Sequence, residues 1–272
     1  DEVMMNGQRM AQDSHYVLSN GTSVRPPNGV PIYYSDILSA FMAKKGRARL
    51  VFKADGIEYK FPNGRMGLHE LHMVEPGGKL IGIMGGSGSG KSTLLNVLNG
   101  NLAPSRGHVT INGIDVHTER DRIRGVIGHV SQDDLLIEEL TVFQNLFYNA
   151  KLSFGDLNDE QVSERVMRML QTLGLYDTKD LKVGSPLEKT ISGGQRKRVN
   201  IALELIREPS VLFVDEPTSG LSSRDSENIM DLLKELALRG RLVFIVIHQP
   251  SSEIFKLFDR LLLMDQEGHP VY

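Results

Sequence analysis

Two kinds of hydrophobic pattern divide the chain, and they predict two kinds of sheet. Across residues 49–74 the apolar stretches are short, mixed with polar positions and separated by turn residues, which is typical of antiparallel strands. Residues 80–84, 211–214 and 242–247 are instead nearly continuous apolar runs. Because such runs alternate with helix-like segments, they indicate a parallel sheet covered on both faces. A further strand is predicted at 126–130.

Helical spacing dominates residues 141–190, where apolar residues recur every three or four positions and Gly174 provides a stop. Strand signals are few in this block, so it is predicted to be a helical insertion that extends to about residue 205. Further helices are predicted after Ser192, through Arg207, and from Ser223 to Arg239. A hairpin strand at 108–111 is predicted to turn at Asn112-Gly113.

The first 48 residues differ in character from the rest. Residues 1–30 are rich in turn formers and polar groups, and we expect a loop or a weakly ordered leader. Ser35 is a candidate cap for a short helix at 36–45 with one apolar face. Two interpretations stay open: a docking helix for a neighbouring domain, or a helix packed on its own domain. We therefore predict an N-terminal extension at 1–48 and one domain at 49–272.

Composition narrows the class of protein. The chain has 272 residues, 40% hydrophobic and 24% charged, with a net charge of −3 and a pI near 6.3. Nothing here provides the basic field that draws a protein to nucleic acid, so no such partner is predicted. The absence of cysteine excludes disulfides and thiolate zinc sites. No run approaches the ~18 apolar residues of a membrane helix. Because Asp1 is not Met, we expect a fragment of a longer protein that ends in a shortened hairpin.

A glycine-rich loop lies between the run at 80–84 and the next helix-like segment. It reads Gly85-Gly86-Ser87-Gly88-Ser89-Gly90-Lys91-Ser92 and continues into Thr93. This is the pattern G-x-x-x-x-G-K-[ST] in the strand–loop–helix context that it requires. Glycine allows the φ > 0 conformations that point successive N–H groups at phosphate oxygens, and a helix N-terminus attracts anions. We therefore predict that residues 85–93 bind a nucleoside triphosphate.

Two residues of this loop have predicted roles of their own. Lys91 is expected to reach the β- and γ-phosphates, and the Ser92 hydroxyl is expected to be a ligand of Mg²⁺. The alternative is a glycine-rich turn that binds nothing, which the flanking strand and helix disfavour.

Two adjacent carboxylates follow the apolar run at 211–214. Asp215 is predicted to reach the Mg²⁺ coordination sphere, through water. Glu216 is placed to orient or deprotonate a water that attacks the γ-phosphate. Many strands end at acidic residues, so the pair gains its meaning from the phosphate-binding loop upstream.

Residues Ser192-Gly193-Gly194-Gln195 stand at the start of a predicted helix. Alone they would be a helix cap, with backbone N–H groups that also suit an anion. Together with the phosphate loop and the Asp215-Glu216 pair, they resemble the signature sequence of ATP-binding cassette (ABC) proteins. The resemblance covers about 49–272 and implies an α/β fold: a P-loop NTPase core with a mostly parallel sheet, an antiparallel β subdomain and an inserted α-helical subdomain.

The resemblance also implies a dimer and an ATPase. In that family the signature of one cassette faces the nucleotide of a second, so that two ATP molecules are buried head to tail in a homo- or heterodimer. The nucleotide contacts would then include Ser192, Gly193, Gly194 and Gln195, contributed to the partner's site.

Three more positions match family motifs one by one. Gln132 stands where the Q-loop glutamine contacts Mg²⁺ or the γ-phosphate and senses the membrane domain. His248 stands where the switch histidine aligns the γ-phosphate with the catalytic glutamate, so Lys91, Gln132, Glu216 and His248 are the predicted catalytic set. Phe61 occupies the place of the aromatic that stacks on adenine. Two alternatives stay open: Tyr59 could be the stacking residue, or Phe61 could be a buried aromatic of the core.

One position departs from the family. Its D-loop usually reads Ser-x-Leu-Asp, whereas this chain has Ser219-Gly220-Leu221-Ser222. The missing carboxylate puts communication across the dimer in doubt, and Asp225 lies further along the helix. Hydrolysis remains the expectation because Glu216 is intact.

Three stretches of the sequence resemble the G subfamily of ABC transporters: residues 248–255, 258–261 and 218–221. That resemblance implies a membrane-spanning domain C-terminal on the same chain, a cassette at the cytoplasmic face of a membrane, and ATP-driven transport. The alternative is a soluble ABC ATPase that acts on DNA or the ribosome. Only about 100 residues separate Lys91 from Ser192, which leaves no room for the long coiled coil of the DNA-repair type.

Overall fold

The computed structural model describes residues 3–5, 8–11, 16, 23–27, 32–33, 50–155, 157–185 and 190–271. The predicted helix at 36–45 lies outside the described residues. Within them, no helix has both the length and the apolar character needed to cross a bilayer. The N-terminal part forms a small antiparallel sheet in the order β2-β1-β3-β4. Its strands are β1 (Met4–Met5), β2 (Gln8–Arg9), β3 (Ser23–Arg25) and β4 (Ile32–Tyr33).

A second antiparallel sheet has the order β6-β5-β8-β9. Its strands are β5 (Val51–Lys60), β6 (Met66–Pro76), β8 (Arg106–Ile111) and β9 (Ile114–Asp115). The two short strands predicted at 50–52 and 56–61 are one strand, because the register shifts between Ala54 and Ile57 where Gly56 has φ +60°. Such an irregularity interrupts the alternation of apolar residues without ending the pairing. The strand predicted at 71–74 is longer than expected for the same reason.

The central sheet has six strands in the order β10-β11-β12-β7-β13-β14. They are β7 (Leu80–Gly85), β10 (Ile127–Val130), β11 (Val211–Asp215), β12 (Leu242–Val246), β13 (Arg260–Met264) and β14 (Pro270–Val271). The first five are parallel and only β14 is antiparallel, which confirms the mostly parallel sheet. Strand β13 was not among the predicted strands.

Six α-helices complete the described fold. They are α1 (Lys91–Leu98), α2 (Val142–Ser153), α3 (Asp159–Thr172), α4 (Gly193–Leu205), α5 (Ser223–Leu238) and α6 (Ser252–Phe255), with 3₁₀ turns at Arg120–Ile123 and Tyr176–Thr178. Reciprocal capping boxes begin α2, α3 and α4. Helix α4 ends at Leu205 rather than at Arg207, and α5 ends one residue before the predicted Arg239.

The central sheet has an apolar core on each face, and successive side chains of its strands enter different cores. On β11, Leu212 and Val214 pack with the helices α2 to α5, whereas Phe213 packs with α1 and the antiparallel sheet. An aromatic cluster joins the two sheets: the Phe244 ring centroid lies 4.9 Å from that of Phe213 and 5.1 Å from that of Phe52. The unbroken apolar runs in the sequence are therefore explained by burial on both faces.

Replacing Phe244 by alanine removes the ring that contacts both sheets. Phe244 is fully buried, so we expect Phe244→Ala to lower the free energy of unfolding by about 3–5 kcal/mol in a urea titration. Phe255→Ala is the matched control, because that side chain is 48% exposed and should change stability by less than about 1 kcal/mol. Equal losses in the two variants would contradict the proposed role of the aromatic cluster.

Candidate functional site

The carboxyl ends of the three central strands β7, β11 and β12 meet at one edge of the sheet. A cleft of about 640 Å³ opens there, in the place where parallel sheets bind ligands. It is lined by Phe61, Arg65, Met66, Gly67, Ser87, Gly88, Ser89, Gly90, Lys91, Ser92, Thr93, Glu216, His248, Gln266, Glu267 and Gly268. Predicted site residues from four separate stretches of the chain thus share one cleft.

The glycine-rich loop wraps around the Lys91 side chain at one end of this cleft. Gly88 and Gly90 have φ of +77° and +87°, and Gly90 is the N-cap of α1. The Lys91 ammonium donates hydrogen bonds to the carbonyl oxygens of Gly85 (3.0 Å) and Gly86 (2.7 Å). These carbonyls hold the ammonium inside the loop, beside the N-terminus of a helix, which is a suitable place for phosphate.

Burial shifts the pKa values of the charged groups beside this loop. It lowers the pKa of the Lys91 ammonium, which the nearby Glu216 and Asp215 carboxylates partly offset. Burial raises the pKa of the Asp215 carboxyl, and the charge of Glu216 adds to that effect. Asp215 Oδ1 is buried and has no hydrogen-bond partner among the described residues. An unpartnered buried oxygen of this kind is costly and marks a place for a cation or an ordered water.

Glu216 lies in an unusual backbone conformation next to His248. Its φ is +45°, which costs a residue other than glycine on the order of 1 kcal/mol. Its backbone N–H donates to Val246 O at 3.0 Å, and its Oε1 lies 3.0 Å from Nε2 of His248. The strained turn therefore directs the carboxylate into the cleft, and the histidine fixes its orientation.

An aromatic side chain lines another part of the cleft. Phe61 lines it, whereas its rival Tyr59 does not and packs edge-on against the Phe61 ring at 5.2 Å. The Phe61 ring covers Gly67 so closely that a Cβ on Gly67 would lie 2.5 Å from it. A side chain at Gly67 would therefore displace the Phe61 ring, although the φ angle of Gly67 is an ordinary one.

Gln132 does not line the cleft. It is exposed in the loop after β10, and its backbone carbonyl accepts a hydrogen bond from the Lys197 ammonium at 3.4 Å. Arg196 on the same helix α4 holds the next turn of this loop through a bidentate pair with Asp134 (2.6 and 3.1 Å). The Gln132 side chain is therefore presented by a loop that is anchored to α4.

The signature residues Ser192–Gln195 also lie outside the cleft. Ser192 caps α4 by accepting a hydrogen bond from the Gln195 N–H (3.1 Å), and the Gln195 side chain accepts one from the Ser192 N–H (2.8 Å). Gly194 is packed against Asp225, whose carboxylate would lie 2.5 Å from a Cβ there. Ser222 in turn caps α5 and donates to Asp225 Oδ2 at 2.8 Å. The altered D-loop and the signature turn are thus in contact within one chain.

Sequence reasoning missed three parts of this region. Gly67 belongs to no sequence motif, and only the close approach of its neighbours in the structure identifies it as part of the site. The turn at 266–268 follows the unpredicted strand β13, although the apolar run at 261–264 followed by Asp-Gln-Glu-Gly was a detectable signal. The Lys197 ammonium lies near the Asp215-Glu216 pair. Burial lowers the pKa of Lys197, and the negative charge of Asp215 raises it.

Comparisons with known proteins agree with this geometry. The family model described as "ABC transporter" matches residues 68–219. A Penicillium crustosum protein named ABC-type transporter claG is 39% identical over 228 residues, which are 80% of this chain and 30% of that protein. ABC transporter G family member 26 of Arabidopsis thaliana is 41% identical over 197 residues, covering 72% of this chain and 28% of that protein.

Among solved structures, cbiO1 from Clostridium perfringens, described as part of the ABC transporter complex cbiONQ, superimposes with a TM-score of 0.72. It is 30% identical, and the match covers 81% of this chain and 86% of that one. The chain spans less than a third of the length of the two sequence relatives above, and one of them confirms the resemblance to the G subfamily. The chain belongs to the ABC transporter family, as one of its ATP-binding, ATP-hydrolysing domains.

Proposed function

We propose that this domain drives transport across a membrane by binding and hydrolysing ATP as one half of a cassette dimer. The observation that carries the proposal is that Lys91, Glu216 and His248 share one cleft with the glycine-rich loop. The names of the relatives favour a transporter over the soluble ATPase alternative.

The triphosphate would bind along residues 85–93. Its oxygens would accept hydrogen bonds from the loop N–H groups and from the Lys91 ammonium, which would exchange a carbonyl partner for a phosphate. The adenine would stack on Phe61 in the cleft.

The donor set suits Mg²⁺ brought in with the nucleotide. Asp215 Oδ1 is buried and has no hydrogen-bond partner in the part of the chain that the structure describes, and Ser92 is exposed to the cleft. Both side chains offer the hard oxygen ligands that Mg²⁺ prefers. No group of three or more His, Cys, Asp or Glu side chains in the described part of the chain could hold a metal by itself. The ion would neutralise charge on the β- and γ-phosphates, and Gln132 is a further candidate ligand.

Hydrolysis would follow from the Glu216–His248 pair. The Glu216 carboxylate accepts a proton from water as the water oxygen bonds to the γ-phosphorus and the bond to the β–γ bridging oxygen breaks. His248, 3.0 Å from that carboxylate, positions it and contributes a hydrogen bond near the γ-phosphate. The products are ADP and phosphate.

A second cassette would complete the site. Ser192, Gly193, Gly194 and Gln195 lie outside the cleft of their own chain, so they are available to cover the nucleotide of a partner. ATP would close the dimer and hydrolysis would reopen it, moving a membrane-spanning domain. We place that domain C-terminal on the full-length protein and the cassette at the cytoplasmic face.

Glu216→Gln should retain ATP binding, abolish turnover and trap a dimer. The amide keeps the shape of the carboxylate but cannot accept the proton, so kcat should fall by at least about a hundredfold. Size-exclusion chromatography with ATP and Mg²⁺ should show the dimer, whereas without nucleotide the chain should be monomeric. A variant that stays monomeric with ATP, at concentrations where ATP is bound, would refute the dimer.

Lys91→Ala should weaken ATP binding by roughly 10- to 100-fold, because charge-assisted hydrogen bonds to the phosphates are lost. The matched control is Lys256→Ala, whose side chain is 68% exposed and pairs only with Glu253 within the described residues. Isothermal titration calorimetry measures both dissociation constants. An unchanged affinity in Lys91→Ala would contradict the placement of the phosphates.

Gly67→Ala should weaken nucleotide binding without unfolding the domain. The new methyl group would displace the Phe61 ring and misalign the base platform, which we expect to cost about five- to twentyfold in ATP affinity. Gly155→Ala is the control, since a Cβ there meets nothing within 4 Å. Comparable binding of ATP by the two variants would argue against Phe61 as the platform.

A further inference from the structure

The β13–β14 turn forms one side of the cleft at the end where the base would lie. Gln266, Glu267 and Gly268 line it together with the aromatic residue Phe61. This turn lies outside the phosphate loop, the acid pair, the histidine and the signature. Its part in nucleotide binding therefore depends on its own contacts.

Several interactions hold the turn in one conformation. One carboxylate oxygen of Asp265 accepts hydrogen bonds from the N–H groups of Glu267 (2.9 Å) and His269 (2.8 Å). The Asp265 N–H donates to the His269 carbonyl at 3.0 Å, and the hydrogen bond from His269 keeps the pKa of Asp265 low. The aspartate is thus charged at neutral pH and fixes the turn from inside.

The turn is also fastened to the antiparallel sheet. The His69 N–H donates to the Gly268 carbonyl at 3.1 Å, and the rings of His69 and His269 stack with centroids 3.6 Å apart. A side chain presented by such a turn keeps its position when a ligand arrives, which lowers the entropy cost of contacting it.

Gly67 sets the distance between this turn and the base platform. A Cβ on Gly268 would lie 3.2 Å from the Gly67 carbonyl oxygen, and one on Gly90 would lie 2.8 Å from the same atom. The Phe61 ring covers the Cα of Gly67 itself. The aromatic platform, the end of the phosphate loop and the turn therefore meet at one residue. A base that stacks on Phe61 would therefore lie near the turn.

Gln266 is the side chain of the turn that suits the edge of a base. Gly268 has none, and Glu267 is 82% exposed with its carboxylate 3.9 Å from the His269 ring nitrogen. None of the described residues hydrogen-bonds to the Gln266 amide, which lines the cleft. A glutamine amide offers one acceptor and two donors in a planar arrangement.

We propose that Gln266 is a specificity-determining residue that selects adenine, by accepting a hydrogen bond from the N6 amino group and donating one to N7. Adenine presents the N6 donor beside the N7 acceptor on this edge, whereas guanine presents two acceptors, O6 and N7. A guanine base therefore loses one of the two bonds, and repulsion between its O6 and the glutamine oxygen offsets the bond that remains. The inference rests on the proposed ATP site. It concerns which nucleotide that site prefers.

The experiment compares ATP, GTP and 7-deaza-ATP, which lacks the N7 acceptor, by isothermal titration calorimetry with Mg²⁺. Wild-type protein should bind ATP about tenfold more tightly than either analogue. Gln266→Ala should weaken ATP binding about tenfold and leave GTP within about twofold, which abolishes the preference. Gln266→Glu should still bind ATP more tightly than GTP, because a carboxylate accepts a hydrogen bond from N6 and is repelled by O6. It should bind ATP and 7-deaza-ATP equally, because a carboxylate has no donor for N7.

Gln171→Ala, at an exposed position on α3, is the matched control and should leave the ATP-to-GTP ratio unchanged. Equal wild-type affinity for the three nucleotides, or a preference that persists in Gln266→Ala, would overturn the inference and leave the ATP site intact. Failure of the wild-type protein to bind any of them would instead refute the proposed function. Thermal midpoints equal to wild type confirm that the variants are folded.

Discussion

The site depends on the parallel alignment of three buried strands. Because β7, β11 and β12 pair in register with their carboxyl ends at one edge, residues more than a hundred positions apart in sequence meet there. Burial on both faces of the sheet holds that alignment, with the Phe213–Phe244 contact on one side and the helical core on the other. A shift of register would move Asp215 and Glu216 away from Lys91, so the stability of the core and the geometry of the chemistry have one origin.

At this edge of the sheet, the charged groups are held at an energetic cost that a bound nucleotide would relieve. Lys91 donates hydrogen bonds to carbonyls of its own loop, and Glu216 adopts a left-handed backbone conformation. Asp215 has a buried oxygen with no hydrogen-bond partner among the residues that the structure describes. Such features are concentrated at functional sites because the surrounding structure compensates for them. The base end differs, since stacking and edge contacts from Phe61 and Gln266 would provide affinity there without buried charge.

In the proposed dimer, the arrangement would separate the site into parts that contact different nucleotides. Helix α4 carries the signature at its N-terminus, and through Arg196 and Lys197 it holds the loop of Gln132. Gly194 of the same helix touches Asp225 beside the altered D-loop residue Ser222. A displacement of α4 would consequently reach the Gln132 loop and the D-loop together, and in the proposed dimer it would link a chain's own nucleotide to that of its partner.

The sequence by itself determined the fold class, the phosphate-binding loop and the acid pair, because each depends on local patterns: unbroken apolar runs, glycine spacing and carboxylates at a strand end. The bounds of β5 and the proposed roles of Gly67 and Gln266 depend on three-dimensional contacts. A bulge hides the continuity of a strand, and Gly67 matters because the Phe61 ring covers it. Contacts of this kind join residues with no fixed spacing, so only tertiary packing specifies them.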